Sequence, residues 1–293
     1  MTDSLAQSDA ARLQKHAEFI AAGLPALLLR ARRLAATINA GVHGRRRPGS
    51  GDDFWQFRHS QPGDPLTAID WRQSAKSDHL YLRETEWTIA HTTLVWVDPS
   101  ASMRWRSHER LDYKYDRASL LTVALGFLLE QSGERIGLLG RPGPAFYGRT
   151  APARLATALV NEAEKGDWPD ALLKSRSSLV LLSDFLQPLS QIAEQIRRWA
   201  AAGLSGHMLQ ITDPAEEALP YQGRVRLLGL EDEGDLLLAN AESLRDFYQM
   251  AMADHRRGLA AIAQQSGWRF TLHHTDQPAR VALTHLYAAL AQG

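Results

Sequence analysis

Three apolar runs, TTLVWV (92–97), SSLVLLS (177–183) and GHMLQIT (206–212), each end directly in an aspartate, at Asp98, Asp184 and Asp213. Continuous apolar runs of this length suit strands covered on both faces, as in a parallel sheet. Segments with helical spacing separate them: one near Tyr115–Gln131, RLATALVNEAEK, LSQIAEQIRRWAAAG, and a long one, SLRDFYQMAMADHRRGLAAIAQQSG. RIGLLG, AFYG and a final WRFTLHH read as further strands. Strands alternating with helices predict a doubly wound α/β fold, with a mostly parallel sheet and helices on both faces.

The chain before this alternation differs in character. Leu13, Ala17, Ile20, Leu24, Leu27 and Leu28 recur at helical spacing, with a break at Gly23-Leu24-Pro25. GVHGRRRPGSGDD reads as a loop. The aromatic-rich stretch from Phe54 to Ile89, punctuated by Pro62-Gly63-Asp64 and Ser77-Asp78, reads as a β-ribbon. The expected organisation is therefore an N-terminal appendage of helices plus ribbon over 1–88 and an α/β domain over 89–293.

Lys+Arg and Asp+Glu both number 33, so overall charge gives no reason to expect nucleic acid or an anionic membrane as partner. With no cysteine, thiolate metal sites, cysteine nucleophiles and disulfides are excluded. The first residues lack the order of a signal peptide, and no apolar run approaches the roughly 18 residues of a membrane span. These features set the expectation of a cytoplasmic protein.

In open parallel sheets, ligands bind beyond the carboxyl ends of the strands. Asp98 and Asp184 are expected at that edge, and Asp98-Pro99-Ser100-Ala101-Ser102 adds two hydroxyls at alternate positions. All-oxygen donors suit a hard divalent cation such as Mg²⁺, not Zn²⁺, which favours His and Cys. The same residues could instead only cap the loop and the helix that follows.

Together with GERIGLL, LVLLSDF and the ITDPAEEALP region, these motifs resemble the bacterial family called domain of unknown function 58, which carries a von Willebrand factor A-like domain. Upstream of the aspartate loop, Arg58, Gly63, Asp64, Ile69, Asp70, Trp71, Ser74, Ala75, Leu80, Arg83 and Glu84 match the family pattern, while His59 and Lys76 depart from it. The resemblance implies a metal-ion-dependent adhesion site for Mg²⁺ or Mn²⁺. Asp98, Ser100 and Ser102 match its first loop, Asp184 its last, and Thr150 is the best match in the middle loop, where the usual Gly-Gly-Thr is missing. It further implies a non-enzymatic interaction module, an adaptor or chaperone-type partner of a MoxR-type AAA+ ATPase or of that ATPase's client.

The rival reading is a metal-dependent, phosphatase-like hydrolase that uses Asp98. It needs an acid two positions later, where Ser100 is a poor proton donor. No Walker loop, G-x-S-x-G elbow or dinucleotide fingerprint is present. Arg45-Arg46-Arg47 reads as a solvated loop, and His273-His274 as a strand pair facing opposite ways. Asp213-Pro214 reads as a turn starter that could lie beside the metal edge, Trp96 as core, and Trp71 as the anchor of the ribbon.

Overall fold

The computed structural model describes residues 24–38, 54–60, 69–76, 79–85, 91–161, 168–169, 177–230 and 234–290. The chain divides into two compact units, His43–Ala90 and the remainder, Met1–Val42 with His91–Gly293.

The larger unit is built on a five-stranded sheet in the order β4-β3-β5-β6-β9. Its strands are β3 (Thr92–Val97), β4 (Arg135–Leu138), β5 (Ser177–Ser183), β6 (Ser205–Thr212) and β9 (Arg269–His274). Every pairing among them is parallel. An antiparallel bridge from Phe146 to Ile136 turns the chain back along β4. β5 is buried at all of its positions, which explains why it reads as a continuous apolar run.

Two apolar clusters cover the two faces. On one lie α1 (residues 24–38), α3 (Lys114–Gln131), α4 (Ala151–Val160) and α8 (Ala279–Leu290), contributing Ala31, Leu121, Leu155 and Leu283. On the other lie α5 (Leu189–Ala201) and α7 (Arg245–Gln265), with a tryptophan cluster in which the Trp96 and Trp168 rings stack at 4.4 Å. The expectation that Trp96 is core therefore holds. α3 is buried almost all round, because it lies between the sheet and neighbouring helices. The structure adds three elements that the sequence pattern does not show: α6 (Pro214–Ala218), the antiparallel hairpin of β7 (Val225–Leu228) with β8 (Asp235–Leu238), and α8. Among the described residues, no helix is long and apolar enough to cross a membrane.

The smaller unit pairs β1 (Phe54–His59) antiparallel with β2 (Tyr81–Thr85), as expected of a ribbon, and adds the short helix α2 (Trp71–Ser74). Backbone bonds hold it together: Asp70 N–H donates to the Tyr81 carbonyl (2.8 Å), and the Ser74 hydroxyl donates to the Asp70 carbonyl while accepting from Tyr81 N–H.

Two expectations need correction. Trp71 is 62% exposed at the start of α2, so it does not anchor the ribbon. The helix at 24–38, grouped with the appendage by its position along the chain, packs instead into the larger core through Ala31, Ala35 and Ile38. The proposed helix before Gly23, the arginine triplet and Pro62-Gly63-Asp64 lie outside the described residues.

Candidate functional site

The strand order creates the site. From β3 the chain passes to β4 on one side and then to β5 on the other, so the connections diverge beyond the carboxyl ends of β3 and β5, the position where ligands bind in open parallel sheets. Asp98 follows β3 and Asp184 follows β5; Asp98 N–H still bonds the Leu182 carbonyl at 2.9 Å, which keeps the two loops in step.

The Asp98 carboxylate is fully buried and accepts three hydrogen bonds: from Ser100 N–H (2.9 Å), from the Ser183 hydroxyl (2.6 Å) and from the Gln187 amide (3.4 Å). The Ser183 hydroxyl in turn accepts from Phe185 N–H. Burial, with the nearby Asp184 charge, holds the Asp98 carboxyl above the usual range despite these bonds. The Ser100 and Ser102 hydroxyls stand 3.1 Å apart. A 3-10 turn at Ser102–Arg104 and the fully buried Met103 hold their loop.

Asp184 precedes Phe185, which adopts a left-handed backbone (φ 52°) while wholly buried in the tryptophan cluster. A phenylalanine held in that conformation stores strain of order 1–3 kcal/mol, and such strain gathers at functional loops. The Asp184 carboxylate accepts from Lys114 Nζ at 2.9 Å and from Leu186 N–H at 3.3 Å. Lys114, the first residue of α3, is fully buried and also bonds Glu216. Burial works against its charge, but Asp184 and then Glu216 hold the ammonium above its ordinary value. Glu216 itself is raised, chiefly by burial, against the lowering effect of Lys114.

Asp213 belongs to the same edge. It caps α6 through a capping box with Glu216, and its other oxygen accepts from Ser107 N–H at 2.9 Å. Asp213 thus starts the turn and also ties the end of β6 to the chain beyond the serine loop.

The structure brings Asp98, Ser100, Ser102 and Asp184 to one edge, but it does not bring Thr150 there. Thr150 is exposed at the N-terminus of α4. The C-terminal end of that helix is the one near the site, where the Leu159 carbonyl accepts from the Tyr115 hydroxyl and the Ala158 carbonyl from Arg141. The hairpin through Phe146 carries the chain back before α4 begins, and this sends Thr150 to the far end. His273 and His274 diverge as expected: one meets Arg117, the other lies 3.7 Å from Glu217.

Carboxylate and hydroxyl oxygens lie together at Asp98, Ser100 and Ser102, and the Gln187 amide oxygen beside Asp98 is buried without a hydrogen-bond partner. This chemistry fits an oxygen-seeking divalent ion. No cluster of three or more His, Cys, Asp or Glu able to hold a metal exists among the described residues, so such an ion would depend on hydroxyl and amide oxygens. Sequence reasoning missed Ser183, Gln187, Lys114 and Glu216. The available signal was the D-x-x-E spacing from Asp213 to Glu216, which marks a capping box.

Comparisons with known proteins place the chain. An uncharacterized protein of Mycobacterium tuberculosis strain H37Rv, Rv1480, is 26% identical over 302 residues, covering 94% of this chain and 90% of that one. Among solved structures, an aerotolerance-related membrane protein from Bacteroides fragilis matches with a TM-score of 0.44 at 13% identity, over 70% of this chain and 100% of that one. BatB from Bacteroides thetaiotaomicron gives a TM-score of 0.40 at 14% identity, with the same coverage. The profile of the family described as "Protein of unknown function DUF58" matches residues 56–258, spanning the ribbon, the aspartate loop and both later acidic strand ends. A match over most of the chain makes this protein a member of the DUF58 family.

Proposed function

We propose that this protein is a non-enzymatic interaction module of von Willebrand factor A-like type, whose carboxyl edge binds a partner in a metal-dependent way. The observation that carries the reading is the meeting of Asp98, at the end of β3, with the paired hydroxyls of Ser100 and Ser102 beside the acid that ends β5. Asp98, Ser100 and Ser102 would hold Mg²⁺ or Mn²⁺, and the ion would supply an electrophilic centre with an open position. Neutral hydroxyls compensate little of an ion's charge, so an Asp or Glu from the partner completes the set. The partner is a MoxR-type AAA+ ATPase or its client, as the family resemblance implies. A hydrolase reading is weaker, because the position two residues on, where a general acid is needed, is the hydroxyl of Ser100.

The test uses melting curves and capture. Mg²⁺ binding only to the folded state should stabilise the wild type, by about 2.7 kcal/mol at a hundredfold excess over Kd. Ser100→Ala with Ser102→Ala should remove most of that shift. Capture of an AAA+ ATPase encoded beside this protein should fall with EDTA and with Asp98→Ala. Equal recovery under all conditions would remove the metal from the contact.

A further inference from the structure

Lys114 places a cation inside a site whose other groups are oxygens. Its ammonium is fully buried at the first residue of α3, where burial and the helix dipole both oppose a positive charge. It remains because it bonds two acids from two different elements, Asp184 after β5 and Glu216 on α6.

We propose that Lys114 is the resident cation of this edge: it competes with a divalent ion for Asp184, and such an ion gains Asp184 as a ligand only when the ammonium is displaced. The inference rests on the metal-dependent reading above and deepens it. One Asp184 oxygen is occupied by Lys114, and the carboxylate's remaining contact is Leu186 N–H at 3.3 Å. An ion seated at Asp98, Ser100 and Ser102 would therefore meet an Asp184 already paired with a positive charge. Glu216 is the natural retreat for the ammonium. It is fixed by Asp213 N–H (2.9 Å), and its backbone carbonyl accepts from the Tyr248 hydroxyl (2.6 Å). Lys114 is thus a positioning residue that sets cation affinity through Asp184.

The experiment titrates the full chain with MnCl₂ at neutral pH and counts free Mn²⁺ by electron paramagnetic resonance, without any partner protein. Lys114→Met is compared with wild type, and Lys114→Met/Glu216→Gln with Glu216→Gln. The second pair relieves one stranded carboxylate should the single variant fail to fold. Removing the lysine should tighten Mn²⁺ binding at least tenfold, Lys114→Arg should leave it weak, and adding Asp98→Ala should abolish it. Unchanged or weaker binding without the lysine overturns the proposal. If the wild type also binds Mn²⁺ through Asp98 in that case, the metal-dependent reading survives alone. Binding confined to the lysine-free variants upholds the proposal and removes the metal from the native chain. Absence of binding in every variant sinks both.

Discussion

Replacing Lys114 with methionine should be among the most damaging single changes in this protein, for a reason separate from any metal. The lysine is fully buried, Asp184 is 1% exposed, and the Glu216 side chain is 16% exposed. Methionine fills similar volume, so packing contributes little to the loss. What remains is a buried Asp184 carboxylate with no counter-charge, beside an Asp98 already raised by burial and by that same carboxylate. Removing one partner of a buried ion pair costs about 3–5 kcal/mol. Exchanging all three charges for neutral groups of similar shape, Lys114→Met/Asp184→Asn/Glu216→Gln, strands no charge and should lie within about 1–2 kcal/mol of wild type. Urea unfolding followed by tryptophan fluorescence, in EDTA at pH 7, measures both. A single variant within about 1 kcal/mol of wild type, or a triple variant as unstable as the single, would refute this account of the triad.

Two further outcomes concern the rest of the fold. His207 and His273 are both held down to about 4, first by burial and then by neighbouring charge from Arg269 and Arg117 respectively. Each stays neutral in the fold but takes a proton near pH 6.5 when unfolded, so their contribution is complete above that pH and is lost as pH falls through about 4, reaching about 3 kcal/mol each. Stability measured between pH 7 and 4 should fall less steeply in His207→Gln/His273→Gln, and an identical slope would count against the argument. At Gly206, an added Cβ would lie 2.3 Å from the Trp268 ring, whose indole N–H is fixed on the Leu204 carbonyl. Gly206→Ala should therefore cost about 1–3 kcal/mol in thermal melts, and a neutral result would mean that the ring moves freely.

The sheet was legible because its strands are covered on both faces: a run such as SSLVLLS has few other uses, and its terminal acid marks the carboxyl edge of the sheet. The hairpin of β7 and β8 was not, since its alternation is broken by exposed leucines at 228, 236 and 237. Lys114 was hidden for a different reason. LDYKYDR looks like an exposed helix start, and only its distant partners, Asp184 and Glu216, explain a buried ammonium. Glu216 could have been found from the D-x-x-E spacing after Asp213, which is a capping box. Thr150 matches the middle loop in residue type and chain order, but the backward turn through Phe146 decides its place.

The insertion of residues 43–90 between α1 and β3 has a consequence for how the protein is made. Helix α1 is synthesised before every element it packs with, and the core it joins includes Leu283 and Leu286 of the last helix. At about 5–20 residues per second, the stripe of Ala31, Ala35 and Ile38 waits on the order of tens of seconds for that surface to emerge. The ribbon unit is synthesised in the meantime, and folding within it would shorten the free loop that must later close, lowering the entropy cost of bringing α1 home. Folding of the small unit would thereby ease assembly of the large one.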